Sequence, residues 1–322
     1  MATEDDLEKS GVAAWLVEAV KRLSRGRPAT LTSYLHSVGG DAQVEGTRAT
    51  VRVHFICTDP LGQPRVKALA EKLSHQVVDY CIPRSRINEA AAYYETYGST
   101  DKFGQLEQEA RALFASVKRS GEGGELLLYF LLEVALGIPQ LLCKMSLKTS
   151  TQMHVHGVDG VHATMRPDGV LALYWGESKL YKSANSAIDE CFESLAPFLL
   201  GEANDSDRDL LLLRDNLDSG DQPVTEALVR YFMQDEPQAQ QVEIRGACLV
   251  GFDYDNYQHP FEADGATIRA DVLSAITSWH ARLRSRIHAH QVESIQVEVF
   301  CVPFPSVEEF RDVLEATLRG RP

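Results

Sequence analysis

The sequence predicts an α/β protein in which strands and helices are interspersed along the chain, with an N-terminal α/β extension. Segments in which β-branched residues alternate with others, such as 47–56, 242–252 and 295–302, are typical of strands. Segments with apolar residues at helical spacing lie between them. The length of 322 residues is enough for one large domain or two, each with its own buried core.

The N-terminal part of the chain predicts helices around a strand. The elements are, in order, a helix at 7–23, a strand at 47–56, a helix at 66–78, a polar connection through Arg84, Arg86 and Asn88, and a helix at 102–118. The glycines of Gly121-Glu122-Gly123-Gly124 then predict a hinge. We therefore expect an N-terminal accessory region at residues 1–120 and a second domain at 121–322.

The second half opens with a helix at 125–136 that is apolar almost all round, so it should be buried on most sides. The elements after it are, in order, strands at 140–147, 155–165 and 170–179, a helix at 183–199, a strand at 242–252, a helix at 268–287, a strand at 295–302 and a helix at 306–318. Arg166-Pro167-Asp168-Gly169 predicts a hairpin turn, because proline presets φ and glycine accepts the left-handed conformation. Ser183 and Ser306 are placed to cap the helices that follow them.

The charge of the chain is strongly negative and unevenly distributed. A net charge of −14 argues against a protein that holds nucleic acid by itself, since phosphate binding depends on clustered Lys and Arg. Residues 201–243 carry eleven acids against three arginines. This acidic insertion has two readings that the sequence leaves open, a solvated polar excursion or a face for a basic partner protein.

The chain reads as a cytoplasmic protein without a membrane segment. Its N-terminus is acidic where a secretory signal is basic, and its longest apolar run, 126–138, is interrupted by Glu133 and shorter than the ~20 residues of a bilayer span. The six cysteines are scattered singly. We therefore expect a reducing compartment, no disulfide framework and no structural zinc.

Four residues form the candidate site: Glu125, Asp159, Glu177 and Lys179. If Pro167 and Asp168 centre the hairpin, residues whose numbers sum to about 335 lie opposite each other, so Asp159 faces Gly176 or Glu177 at ~5–8 Å. Glu177 and Lys179 point to one face of their strand, above Leu171, Leu173 and Trp175, and Ser178 points to the other.

Taken singly, each of these residues has an ordinary explanation. Asp159 is a common turn residue, Glu177 and Lys179 suit a surface salt bridge, and Glu125 suits a first helical turn. Together they are the groups of a metal-dependent phosphodiesterase. Carboxylates hold Mg²⁺ or Mn²⁺, the metal lowers the pKa of a bound water, and an ammonium group steadies the phosphate charge.

The order helix-Glu, strand, strand-Asp, turn, strand-Glu-x-Lys, helix resembles the PD-(D/E)xK nuclease superfamily. More narrowly, the chain resembles the nuclease-subunit family of the Hachiman anti-phage defence system in three stretches. These are Gly124-Glu125-Leu126-Leu127-Leu128-Tyr129, His156-Gly157-Val158-Asp159-Gly160-Val161-His162 and Trp175-Gly176-Glu177-Ser178-Lys179. The close resemblance covers roughly residues 120–200. Val158 stands where the superfamily motif has proline.

This resemblance implies a restriction-endonuclease-like core with a mixed central sheet flanked by helices. It also implies that Glu125, Asp159 and Glu177 are metal ligands and that Lys179 positions the attacking water. It implies hydrolysis of DNA phosphodiesters with Mg²⁺ or Mn²⁺, in a complex with the helicase subunit of the same defence system. On this account Glu177→Ala abolishes cleavage and leaves folding intact, since a strand-end carboxylate at the surface contributes little stability.

Two other functions stay open. The first is a metallohydrolase that binds a transition metal through His154, His156 and His162, although these histidines differ in strand parity from Asp159. The second is a non-catalytic adaptor that keeps the fold and docks onto a helicase, which the acidic charge favours. Lys144, Lys148 and Lys182 flank the site and are candidates for phosphate contact, or are simply solvated.

Overall fold

The computed structural model describes residues 14–115, 121–143, 145, 159–201, 206–255 and 257–320. Its centre is a seven-stranded sheet with the strand order β1-β2-β7-β6-β5-β4-β3. The strands are β1 Leu35–Gln43, β2 Ala49–Ile56, β3 Gln140–Leu142, β4 Gly160–Met165, β5 Leu171–Tyr181, β6 Val242–Asp253 and β7 Val297–Phe304. The β2–β7, β7–β6 and β6–β5 pairs are parallel and the β1–β2, β5–β4 and β4–β3 pairs are antiparallel, so the predicted mixed sheet is confirmed.

Helices cover both faces of this sheet. They are α1 at 14–22, α2 Pro28–Leu31, α3 Val66–Ser74, α4 Val77–Cys81, α5 Arg84–Tyr97, α6 Asp101–Ala115, α7 Glu122–Ala135, α8 Ala184–Leu199, α9 Ser206–Asn216, α10 Gln222–Val229, α11 Ala270–Ala289 and α12 Val307–Leu318. Among these helices, none is long and apolar enough to span a membrane.

The two faces of β5 contribute to different hydrophobic clusters. Leu171, Leu173 and Trp175 pack with α8 and α11, whereas Ala172 and Tyr174 pack with α7 and α12. The buried apolar face predicted beneath Glu177 and Lys179 is therefore present. The strands β1 and β2 belong to the same sheet as the later strands, so residues on both sides of residue 120 build one sheet.

The structure differs from the sequence prediction in the N-terminal part. The strand β1 was not predicted, because Gly39 and Gly40 adopt positive φ at a register shift and interrupt the alternation. The predicted polar connection after residue 83 is the helix α5, which follows Pro83 and ends at Gly98 with φ of 68°. Its surface is mostly polar, so it carries a weak helical pattern.

The glycines at 121–124 were predicted as a hinge and instead begin a helix. Gly121 is the N-cap of α7, and a Cβ on Gly124 would lie 2.9 Å from Ser178 Oγ. Glycine is needed there because the helix approaches β5 too closely for a side chain. Nearby, the predicted helix 66–78 is split into α3 and α4. Of the predicted strand 140–147, Gln140–Leu142 form β3, and residues 144, 146 and 147 lie outside the described residues.

The acidic insertion at 201–243 is partly built into the core. Its described residues form α9 and α10, which bury Leu213 and Leu228 against the cluster that contains Trp175. Asp218 accepts hydrogen bonds from the backbone and side chain of Ser85 at 2.9 and 2.7 Å, and Asp221 caps α10. Several of its acids therefore have internal partners, and the segment is more than a solvated excursion.

Candidate active site

The hairpin register brings Asp159 and Glu177 opposite each other. Gly160 pairs with Gly176 and Val161 with Trp175, so opposed residue numbers sum to 336. Asp159, one residue before Gly160, donates its backbone N–H to the carbonyl oxygen of Gly176 at 2.7 Å. The predicted register is confirmed, and the two carboxylate-bearing positions are cross-strand neighbours at the end of β4.

Glu177 and Lys179 form an ion pair on the face of β5 that meets α8. The Nζ of Lys179 lies 2.7 Å from Oε1 of Glu177. Burial lowers the pKa of Lys179, but the hydrogen bond and charge of Glu177 and the charge of Asp159 outweigh it, so the pKa ends above its usual value. Lys179 is therefore a cation at neutral pH.

The pair is less exposed than a strand-end position suggests. Glu177 is only 5% exposed, and its backbone carbonyl accepts a contact from Cys191 Sγ of α8 at 3.5 Å. The premise that Glu177 is a surface residue, on which the expected intact folding of Glu177→Ala depended, is therefore wrong. Alanine would leave the half-buried charge of Lys179 without this partner, which costs stability.

Asp159 is held by the residue between Glu177 and Lys179. The Oδ2 of Asp159 accepts hydrogen bonds from the backbone N–H and the hydroxyl of Ser178, at 2.8 and 2.7 Å. The Ser178 hydroxyl lies on the α7 side of the sheet, beside Gly124, as its strand parity predicts. The sequence analysis did not predict that Ser178 holds Asp159. Its position between Glu177 and Lys179 was the one feature of the sequence that could have indicated this role.

Glu125 is held by a residue from the N-terminal region. The Tyr80 hydroxyl of α4 donates to Oε2 of Glu125 at 2.8 Å, and Glu125 is 8% exposed. Burial, and after it the charge and hydrogen bond of Glu125 with a smaller effect of the Asp159 charge, raise the pKa of Tyr80 well above its usual value. Tyr80 is 45 residues before Glu125, and nothing in the sequence indicates this contact.

The four predicted residues therefore meet at one end of β4 and β5 but on two faces of the sheet. Glu177 and Lys179 lie towards α8, Glu125 lies in α7, and Asp159 is close enough for its charge to act on both Lys179 and Tyr80. In the described part of the chain, no three His, Cys, Asp or Glu side chains are gathered as a ready metal centre.

The chemistry of the predicted carboxylates nevertheless suits a magnesium ion. Mg²⁺ prefers oxygen ligands and commonly takes one or two protein carboxylates, completing its shell with waters and substrate phosphates. Asp159 and Glu177 supply hard oxygen donors beside the Gly160–Gly176 pair, and Glu125, which accepts from Tyr80, supplies a third carboxylate. All three predicted ligands are therefore kept as candidates, each with a neighbouring donor that orients its carboxylate.

A groove of about 820 Å³ leads to this end of β5 from the side of α12. Its lining includes Ser178 and Lys179, four further cations and four acids, which are Arg111, Lys182, Arg311, Arg319, Glu122, Glu308, Asp312 and Glu315. The side chain of Lys179 is 23% exposed, so part of it is open to solvent. Lys182 lies at the rim, 4.0 Å from Glu308, while Lys144 and Lys148 fall outside the described residues.

Comparison with known protein families shows to which family the chain belongs. The family model described as HamA matches residues 33–318, which include all four candidate site residues together with Tyr80 and Ser178. The chain belongs to the HamA family. This confirms the resemblance to the Hachiman subunit family and supports a part in anti-phage defence. A search of curated proteins finds no match to the chain.

The structure of this HamA family member argues against His162 as a ligand of the alternative histidine metal site. His162 is 2% exposed, and its Nδ1 lies 3.0 Å from the carbonyl oxygen of Ile138. Burial lowers the pKa of His162 to about 4, partly offset by that hydrogen bond. It faces the α7 side, beside Tyr129, and acts as a neutral core residue. His154 and His156 lie outside the described residues.

The buried His162 predicts a loss of stability in acid. Between the folded-state pKa of about 4 and an unfolded value of ~6.5, the unfolded chain binds more protons, so stability falls as pH falls. From pH 7 to pH 5 this residue alone should cost about 2 kcal/mol. Asparagine keeps a donor for Ile138 without titrating. Urea unfolding of His162→Asn should therefore show a smaller loss between these pH values than the wild type, and an equal loss would contradict the assignment.

Proposed function

We propose that this HamA family member is a metal-dependent DNA nuclease that acts with the helicase subunit of its defence system. The observation that supports it best is the cross-strand position of Asp159 opposite Glu177, with the Lys179 ammonium 2.7 Å from the Glu177 carboxylate. Two carboxylates and a cation at the end of a hairpin are the groups that phosphodiester hydrolysis requires. The remaining features of the site supply their positioning.

Each residue has a distinct role in this proposal. Asp159 and Glu177 would hold Mg²⁺ or Mn²⁺, with Glu125 as a further ligand or water-orienting acid, and the metal would supply a water of lowered pKa and neutralise charge on the scissile phosphate. Lys179 keeps its proton at neutral pH, so it acts as a donor to a phosphate oxygen or the attacking water and not as a base. Ser178 fixes the Asp159 carboxylate through two hydrogen bonds.

The charge of the chain supports a partner that brings the DNA. With a net charge of −14 and a groove whose cations are nearly matched by acids, the chain alone should bind DNA weakly. A helicase that unwinds or translocates DNA would deliver it to Lys179 and so restrict cleavage to DNA on which the complex is engaged. The exposed acids of the 201–243 insertion are the candidate face for that partner.

A plasmid-cleavage assay tests the proposal. The chain co-purified with its helicase neighbour is incubated with supercoiled plasmid and Mg²⁺ or Mn²⁺, with and without EDTA. We expect nicking or linearisation that EDTA abolishes and that is weaker for the isolated chain. Absence of cleavage by the intact complex, with helicase activity present, would contradict the nuclease and favour the non-catalytic adaptor.

Ser178→Ala should weaken cleavage without removing it. The substitution deletes the hydroxyl that binds Asp159 but leaves the backbone hydrogen bond, and loss of a residue that orients a metal ligand typically costs ~10-fold or more in activity. Ser183→Ala is the matched control, because it removes a serine that caps α8 and lies outside the site. Cleavage rates are compared at saturating Mg²⁺. Equal rates for the two variants would show that Ser178 does not position Asp159.

A further inference from the structure

Two buried tyrosines lie side by side behind the candidate site and differ in one respect. Tyr80 of α4 and Tyr129 of α7 have ring centroids 5.3 Å apart, and they are 2% and 1% exposed. The hydroxyl of Tyr80 donates to Glu125 at 2.8 Å. The hydroxyl of Tyr129 is buried with no hydrogen-bond partner among the described residues. Comparing substitutions of these two tyrosines therefore distinguishes the effect of the hydrogen bond to Glu125 from the effect of removing a buried hydroxyl.

The position of Tyr80 links the N-terminal region to one carboxylate of the site. Its hydroxyl donates to Glu125 directly, and both groups are buried. A buried hydroxyl that donates to a carboxylate fixes the rotamer of that carboxylate, because turning it away would leave a buried donor unsatisfied. Glu125 thereby keeps a fixed direction at the start of α7, where the helix touches β5 beside Ser178.

We propose that Tyr80 is a positioning residue of the nuclease site, which holds Glu125 so that the site binds its divalent cation with Asp159 and Glu177. This inference rests on the proposed function. It also means that residues 1–120, predicted as an accessory region, supply part of the site itself. The Tyr80 side chain contributes orientation alone and does not touch substrate.

The test compares Tyr80→Phe with Tyr129→Phe in the complex with the helicase. Each variant removes one hydroxyl and keeps the ring. Only Tyr80→Phe removes a hydrogen-bond donor to Glu125. Binding of Mn²⁺ is measured in the absence of DNA from the free-ion signal in electron paramagnetic resonance. Plasmid cleavage is measured in parallel as a function of Mn²⁺ concentration, and thermal unfolding reports the fold.

The wild type and Tyr129→Phe should bind Mn²⁺ alike, and Tyr80→Phe should bind it ~10-fold more weakly, with the half-activating concentration for cleavage raised by a similar factor. Equal Mn²⁺ binding by all three proteins, in a wild type that cleaves, would overturn the role of Tyr80 and leave the nuclease intact. Equal weakening in both variants would also overturn it, because the effect would then arise from packing. A wild type that neither binds Mn²⁺ nor cleaves would overturn the proposed function and this inference with it.

Discussion

Replacing Glu177 by glutamine is expected to lower plasmid cleavage by at least ~10³-fold in the complex with the helicase. Glutamine keeps the size of the side chain and a hydrogen bond for Lys179, but it removes the negative charge that binds a cation and holds the ammonium group. Glutamine is preferred to alanine because Glu177 is buried and its loss would disturb the fold. Single-turnover cleavage at saturating Mg²⁺ measures the effect.

The control for Glu177→Gln is Glu308→Gln, at the exposed rim of the same groove. Glu308 lies 4.0 Å from Lys182 with 74% of its side chain exposed, so its charge is screened by solvent. We expect near wild-type cleavage from this control. Thermal unfolding of both variants separates catalytic loss from unfolding. Residual cleavage by a folded Glu177→Gln variant at more than a tenth of the wild-type rate would place the metal elsewhere.

Replacing Glu133 by alanine is expected to destabilise the protein by about 3–5 kcal/mol, because it removes one partner of a buried ion pair. Glu133 is 1% exposed. Its carboxylate accepts hydrogen bonds from the backbone N–H groups of Arg25 and Gln140 at 2.6 and 2.9 Å and lies 3.5 Å from Arg84. Alanine would leave the buried Arg84 cation and both N–H groups unpaired.

Urea unfolding at pH 7 measures this effect, with Glu109→Ala as the matched control. Glu109 pairs at 2.6 Å with Arg86, which is the next arginine of α5 after Arg84, and both side chains are more than two-fifths exposed. Such an exposed pair should contribute no more than ~1 kcal/mol. Equal destabilisation of the two variants would contradict this account, in which Glu133 holds Arg25, Arg84 and Gln140 together in a buried network.

The sequence was sufficient to predict the parts of the site that depend on local pattern. Alternation placed Glu177 and Lys179 on one face of β5 and Ser178 on the other, and the Pro-Asp-Gly turn fixed the register that sets Asp159 opposite Glu177. The helix caps at Ser183 and Ser306 were predicted for the same reason, since each cap is a contact within a few residues.

Contacts between distant segments could not be read in this way. The bond from Tyr80 to Glu125 and the network of Glu133 with Arg25 and Arg84 join residues 45 to 108 positions apart. Nothing periodic in the chain records which segments the fold brings together. The burial of Glu177 was not predicted for a related reason. The strand end looked exposed in the sequence, but α8 packs against β5 and covers it.

The most direct test of the central claim is the position of a bound cation. Crystals of the catalytically active complex are soaked in Mn²⁺, and its anomalous scattering is located. We predict a peak about 2.1 Å from a carboxylate oxygen of Asp159 and from one of Glu177, with Lys179 beside it. An active complex whose ordered Mn²⁺ lies away from both carboxylates would contradict the account.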